Sequence, residues 1–168
     1  MGQNSKNMDK VLKEFYENPE KSFTIRELTS KTNIPKSSVH KYLVQLKKEN
    51  LVTSENKASN SYLFKTKKTF YFIEKMINIG LIEQIIKDLN PSCIILFGSF
   101  RKGESEKDSD IDLFIESIKK TIDLTKFEKK LNHRIQLFIE DDINNLPERL
   151  FNNVINGIKL KGYFKVKK

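Results

Sequence analysis

Residues 93–99 read Cys93-Ile94-Ile95-Leu96-Phe97-Gly98-Ser99, an apolar run that ends in a glycine and a small hydroxyl. A continuous apolar run bounded by such a break is typical of a buried strand that opens into a tight turn. Glycine lets the backbone approach a phosphate closely, and a serine hydroxyl and exposed N–H groups can donate to its oxygens. The stretch therefore predicts a strand followed by a phosphate-binding turn at Gly98 and Ser99.

A second strand, with two acidic residues, follows after a short gap. It reads Ser109-Asp110-Ile111-Asp112-Leu113-Phe114-Ile115. A period of two places Asp110 and Asp112 on one face of the strand, while Ile111 and Leu113 point into the core. Two neighbouring carboxylates repel each other unless a cation lies between them, and hard oxygen ligands suit a Mg²⁺ ion that carries substrate phosphates. We therefore predict a Mg²⁺ (or Mn²⁺) site at Asp110 and Asp112.

Together, these two segments resemble the signature of the minimal nucleotidyltransferases of the DNA polymerase beta superfamily. The resemblance also includes the basic residue and glycine at Lys102 and Gly103, and it extends over residues 69–168. It implies a mixed β-sheet flanked by helices and the Mg²⁺-dependent transfer of a nucleoside monophosphate to a hydroxyl acceptor. The residues that it implies for nucleotide binding are Gly98, Ser99 and Lys102, with Asp110 and Asp112 as metal ligands. A solvated loop cation is an equal alternative for Lys102.

The family pattern also calls for a third carboxylate, on a neighbouring strand. Here the matching strand, residues 133–139, carries Gln136 at that position. A neutral amide can offer a carbonyl oxygen to a metal, but it cannot act as a base or add charge that holds a second Mg²⁺. Glu140 has the same strand parity and would replace Gln136 only if the strand bulged or the alignment slipped.

The departure at Gln136 leaves two interpretations open. One is a nucleotidyltransferase in which Asp110, Asp112 and Gln136 form the catalytic set. The other is a catalytically weak or inactive, nucleotide-sensing transcriptional regulator. The family resemblance adds a third, an antitoxin paired with a HEPN-type toxin.

The first 68 residues indicate three helices and a hairpin. Apolar residues recur at helical spacing up to the Asn18-Pro19 pair, and Thr24-Ile25-Arg26-Glu27 fits a capping box. A turn at 33–35 precedes a third helix over about residues 36–49. Leu51-Val52-Thr53 and Ser61-Tyr62-Leu63-Phe64 are expected to pair as a two-stranded wing, followed by a polar linker over residues 65–69.

This order resembles the winged helix-turn-helix domains of prokaryotic and archaeal regulators. In that geometry the start of the third helix meets base edges in the major groove, and lysines contact phosphates. The residues predicted to contact DNA are Lys36, Ser37, Ser38, His40, Lys41 and, on the wing, Lys57. Lys and Arg outnumber Asp and Glu by 14 to 7 in residues 1–68 and by 17 to 15 in residues 69–168. Such a basic balance favours a polyanionic partner, and a domain for protein contacts is the alternative.

The remaining segments predict helices and one more strand. Two apolar helical faces flank Gly80, and we expect their residues, Phe70 and Ile77 among them, to pack in the core or between domains. A connecting helix is predicted over residues 124–131, a C-terminal helix over 146–159 and a short edge strand over 163–166.

Composition excludes several classes of protein. No apolar run approaches the roughly 20 residues that span a bilayer, and the first residues lack a signal-peptide core. The single cysteine, Cys93, excludes an internal disulfide and a cysteine-based zinc site. We expect a cytoplasmic α+β protein with domains 1–68 and 69–168, partnered by a nucleoside triphosphate and double-stranded DNA and not by a membrane. A homodimer stays open, and the residues specify neither the base, the acceptor nor the DNA sequence.

Overall fold

The chain folds into two compact units, Met1–Tyr71 and Phe72–Lys168. A computed structural model describes residues 3–118 and 121–167. The first unit is helical, and the second combines a four-stranded sheet with helices. None of the helices in the described ranges combines the length and the hydrophobicity that a bilayer crossing requires.

Unit 1 contains the three predicted helices, α1 (Gln3–Glu17), α2 (Ile25–Thr32) and α3 (Lys36–Lys48), and most of α4 (Tyr62–Asn78). The predicted capping box at the start of α2 is present: the Glu27 amide donates to Thr24 Oγ1 at 3.2 Å, and the Thr24 amide donates to Glu27 Oε2 at 2.8 Å. Asn33 adopts the left-handed conformation and ends α2. The apolar faces of these helices form one core, which includes Val11, Phe15, Leu28, Val39, Leu43 and Leu46.

The predicted wing and linker are wrong. Only an isolated bridge joins Val52 to Ala58, and the residues expected to form the second wing strand begin α4 instead. Ser61 caps this helix, because its hydroxyl accepts a hydrogen bond from the Phe64 amide at 3.2 Å. The expected linker, residues 65–69, continues the helix, and its Lys68 and Thr69 are buried.

The buried side of α4 explains why this polar segment is helical. A line of residues four apart is buried along one face: Phe64, Lys68, Phe72 and Met76. This spacing keeps the side chains on one side of a helix. Phe70 and Ile77, which we expected in a core, lie on the other side and are exposed.

Unit 2 follows with α5 (Leu81–Leu89), β1 (Cys93–Phe97), α6 (Gly98–Lys102), β2 (Ile111–Glu116), α7 (Thr125–Leu131), β3 (Ile135–Glu140), a 3-10 turn (Ile143–Asn145), α8 (Glu148–Ile155) and β4 (Ile158–Gly162). The strand order is β3-β2-β1-β4. β1 runs antiparallel to β2 and to β4, and β2 runs parallel to β3. This mixed sheet flanked by helices confirms the α+β prediction for the C-terminal half.

The C-terminal prediction is wrong in two respects. The helix ends at Ile155, earlier than expected, and the strand occupies Ile158–Gly162 and not residues 163–166. Gly157 makes this possible, because a Cβ there would lie only 2.6 Å from the Leu96 carbonyl oxygen. The chain therefore turns tightly against β1, and Ile158 pairs with Leu96.

Candidate functional site

The turn after β1 lies directly against the second acidic residue of β2. Gly98 has φ +70, in the left-handed region, and a Cβ built on it would overlap Asp112 Oδ2 and lie 3.1 Å from Asp112 Cγ. Phe97, the residue before it, pairs with Asp112 in the β1–β2 register. Glycine is therefore required here both for its backbone conformation and for the close approach of the carboxylate.

Ser99 and Lys102 lie on the short helix α6. Ser99 is half-buried, and its carbonyl oxygen accepts a hydrogen bond from the Glu104 amide at 3.0 Å. Gly103, with φ +70, ends the helix. Lys102 is exposed in the last turn of α6, and among the contacts of the described residues none joins its side chain to the two carboxylates.

Asp110 and Asp112 lie at the start of β2, with Asp110 immediately before the strand. Asp112 is half-buried, and burial raises the pKa of its carboxyl group, with a further increase from the negative charge of Asp110. The two predicted ligands are therefore close enough to repel each other. A cation held between them would relieve both the repulsion and the cost of burial.

Gln136 faces the same position from the neighbouring strand. In the parallel β2–β3 register it pairs with Asp112, and its side chain is exposed. The register continues without a bulge to the pair of Glu116 and Glu140. Four residues along a strand span about 13 Å, so Glu140 lies too far along β3 to take the place of Gln136.

The side chains available as ligands determine how many metal ions this site can hold. Within residues 3–118 and 121–167, no group of three or more His, Cys, Asp or Glu side chains could hold a metal ion. Two carboxylates are, however, the protein ligands that Mg²⁺ commonly uses when substrate phosphates and water complete its shell. The residues present therefore fit one Mg²⁺ ion that arrives with a triphosphate, and they do not fit a second ion.

His133 is a residue of this site that our sequence analysis missed. It is buried, its Nδ1 lies 2.9 Å from the carbonyl oxygen of Ser109, and its ring packs edge-on against Phe100 of α6 at 4.9 Å. His133 thus joins α6 to the segment that carries Asp110. A cavity of about 420 Å³ lies beside it, and its lining includes Asp110, Lys107 and Arg134.

Five of the six residues predicted to contact DNA lie on α3 of unit 1, and Lys57 lies in the loop that follows it. Lys36, Ser37, His40 and Lys41 are exposed, whereas Ser38 is half-buried. The opposite face of α3 is buried, with Val39, Tyr42, Leu43 and Leu46 in the core. Lys57 differs from the others, because its ammonium group forms an ion pair with Glu20 at 3.1 Å.

An exposed apolar residue on α3 was also missed. Val44 is 56% exposed, and at i+3 from Lys41 and i+4 from His40 it lies on the same outward face. Helical spacing could have identified it, because Val44 is seven residues after Ser37 and so lies on the face predicted to contact DNA.

The part of the chain that contains this site is similar to a known protein family. Residues 80–162 match the family described as "Polymerase beta, Nucleotidyltransferase". The match covers just under half of the chain and includes the turn at Gly98, both aspartates and Gln136. It confirms the nucleotidyltransferase-like domain predicted from the sequence. No curated protein and no solved structure matches the chain.

Proposed function

We propose that unit 2 transfers a nucleoside monophosphate from a nucleoside triphosphate to a hydroxyl acceptor in a Mg²⁺-dependent reaction. The observation that supports this most is the contact between the Gly98 backbone and the Asp112 carboxylate. It joins a turn suited to phosphate and a carboxylate pair suited to Mg²⁺ in one place. The family match of residues 80–162 supports the same class of reaction.

In this reaction the acceptor oxygen attacks the α-phosphorus of the triphosphate. A new P–O bond forms, the bond to the β-phosphate breaks, pyrophosphate leaves, and the proton of the acceptor hydroxyl passes to solvent. The Gly98 and Ser99 amides and the Ser99 hydroxyl would bind triphosphate oxygens, and Asp110 and Asp112 would hold the ion. When bound, Mg²⁺ polarises the α-phosphate and neutralises charge on the leaving group. Lys102 would add positive charge beside the phosphates.

The test is a transfer assay with α-labelled ATP, GTP, CTP and UTP, each with Mg²⁺ or Mn²⁺ and a panel of RNA, DNA and protein acceptors. We expect one labelled acceptor, an equal release of pyrophosphate, and loss of both when EDTA is added. If none of the four nucleotides binds or is consumed, the proposal is wrong.

A nucleotide sensor is the second candidate, and Gln136 favours it. Its exposed amide lies opposite Asp112, where it can accept no proton from the attacking hydroxyl. In this case the protein would bind a Mg²⁺–nucleotide complex and release it unchanged. Saturable binding in calorimetry, combined with no pyrophosphate release over many hours, would distinguish the sensor from the enzyme.

We further propose that unit 1 binds double-stranded DNA through the outward face of α3. The exposed lysines, serine and histidine at its N-terminal end support this, together with the excess of basic residues in residues 1–68. Val44 extends the surface with an apolar side chain of the kind that contacts a thymine methyl group. Electrophoretic mobility shifts with the DNA upstream of its own gene would test the proposal.

A further inference from the structure

Large apolar side chains remain exposed along one face of α4. Leu63 is 47% exposed, Phe70 62% and Ile77 46%. They are seven residues apart, so each lies two turns, or about 10.5 Å, from the next on nearly the same side of the helix. A regular row of this kind is the pattern by which one helix packs against another.

Two charged residues of opposite sign lie beside this row. Lys67 and Glu74 are exposed. Each is four residues after one apolar residue and three before the next, which puts both on the same edge of the row. We call these five residues the α4 stripe: Leu63, Lys67, Phe70, Glu74 and Ile77.

The opposite side of α4 is already occupied. Phe64, Phe72 and Met76 are buried there, so that side provides the contacts of the helix within its own chain. Among the residues that the structure describes, none covers the α4 stripe, because its apolar members keep about half of their surface in contact with solvent.

We infer that the α4 stripe binds the α4 stripe of a second copy of this chain, with the two helices antiparallel about a two-fold axis at Phe70. The axis places Phe70 against Phe70 of the second copy and Leu63 against Ile77 of the second copy. It also places each Lys67 beside the Glu74 of the second copy. The surface is therefore complementary to itself, which is the requirement of a two-fold interface.

The charges select the antiparallel orientation and a protein partner. In a parallel pair, the two-fold axis would place the edge that carries Lys67 and Glu74 against the opposite edge of the second copy, so the two charges would not meet. An anionic membrane surface would attract Lys67 but repel Glu74. A contact along about 21 Å of a single helix buries less surface than a standard interface, which buries roughly 1,600 Å². We therefore expect association that depends on protein concentration.

Sedimentation velocity over a range of protein concentrations tests the inference. We expect wild-type protein to approach the dimer mass as concentration rises and Phe70→Glu to stay monomeric throughout. The matched control is Tyr163→Glu, which places the same charge at an aromatic residue that is 67% exposed outside α4 and should dimerise like wild type. Equal melting temperatures of the three proteins, measured at a concentration low enough for all of them to be monomeric, would show that the folds are unchanged.

A charge exchange tests the orientation. Lys67→Glu and Glu74→Lys should each weaken the dimer about tenfold, because each variant places like charges opposite one another twice per dimer. The double variant Lys67→Glu, Glu74→Lys should restore wild-type affinity. A monomer at every concentration, a dimer that persists in Phe70→Glu, or single variants that dimerise like wild type would each overturn the inference. None of these outcomes depends on nucleotide or DNA binding.

Discussion

The carboxylates of Asp110 and Asp112 raise a question of stability as well as of metal binding. The raised pKa of Asp112 means that the folded protein favours its neutral form. Such a group destabilises the fold above the ordinary pKa of an aspartate, because the charged form is more costly in the folded than in the unfolded state. Near neutral pH without metal, the pair therefore lowers stability.

Replacing both aspartates by asparagine should abolish Mg²⁺-dependent triphosphate binding and slightly raise the melting temperature of the metal-free protein. Calorimetry with Mg-ATP and thermal melting measure the two effects. Asp108→Asn, which changes an exposed acid two residues before Asp110, is the matched control and should bind like wild type. Unchanged Mg-ATP affinity in the double variant would refute the assigned site.

Gly98→Ala should remove triphosphate binding and lower stability. The left-handed backbone costs a residue with a side chain about 1–2 kcal/mol, and the new methyl group would also displace the Asp112 carboxylate. Gly80→Ala separates the two effects, because Gly80 has φ +79 but nothing within 4 Å of the point that a Cβ would occupy. The control should show the backbone cost alone and keep nucleotide affinity. Wild-type nucleotide affinity in Gly98→Ala would show that the turn does not position the site.

Gln136→Asp should create or raise nucleotide transfer. The new carboxylate would lie opposite Asp112, where it adds negative charge for metal and a base for the acceptor hydroxyl. General-base assistance typically contributes a hundredfold or more, so initial rates of pyrophosphate release should detect it easily. The control is Gln136→Asn, because asparagine has nearly the same shape as aspartate but carries no charge. This variant should stay as slow as wild type. Robust wild-type transfer that neither variant changes would mean that another residue completes the site.

At the scale of single residues, the sequence predicts the site residues that lie close together in the chain. Gly98, Asp110 and Asp112 were predictable because a strand, a tight turn and an alternating strand bring them together over short distances in the chain. His133 was not, because its hydrogen-bond partner Ser109 is 24 residues away. Only the register between β2 and β3 makes them neighbours.

Among the elements, the strands β1 to β3 and the helices with clear apolar faces were predictable, whereas the first half of α4 and β4 were not. The segment over residues 65–69 is rich in lysine and was therefore expected to be a linker. It is helical because Lys68 continues the buried line between Phe64 and Phe72. β4 alternates apolar and basic residues over only four positions, 158–161, and the predicted helix extended into them. Pairing with β1 determines the position of the strand.

The segment after β4 is held by an ion pair, by hydrogen bonds with Asn144 and by the packing of Phe164 against the core. The ion pair gives a prediction for pH. Lys167 binds Asp142 at 2.5 Å, and its amide donates to Asn144 Oδ1 at 2.9 Å. Hydrogen bonds from Lys167 and Asn144 lower the pKa of Asp142 to about 2. The contribution of this carboxylate is present above its unfolded pKa of about 3.9 and is lost as pH falls towards 2.

We therefore expect hydrogen exchange in residues 163–167 to accelerate as pH falls from about 4 to 2, after correction for the intrinsic rate. Asp142→Asn should show fast exchange already at pH 6 and little further change on acidification. Lys165→Ala, which alters an exposed lysine in the same segment, should follow wild type. Identical pH profiles for wild type and Asp142→Asn would show that the ion pair does not hold this segment.

Over the whole molecule, positive charge is concentrated at one end of the sequence. The net charge is +9, and most of it lies in residues 1–68, which contain 14 basic and 7 acidic residues. Residues 69–168 are nearly balanced, with 17 basic and 15 acidic residues. If unit 1 binds DNA, phosphate contacts should dominate its affinity, because each one releases counterions condensed on the duplex.

Affinity for duplex DNA should therefore fall steeply as salt is added, and the loss of each phosphate contact should reduce the slope of log affinity against log salt by about one. Lys36→Gln and Lys41→Gln should each do so, since both lysines are exposed on α3. Lys57→Gln should have a smaller effect, because this lysine must first leave Glu20. The control is Lys129→Gln, an exposed lysine of α7, which should leave the slope unchanged. Fluorescence anisotropy measures the four variants. A full-length protein that binds no duplex in a salt-sensitive way would instead assign unit 1 to protein contacts.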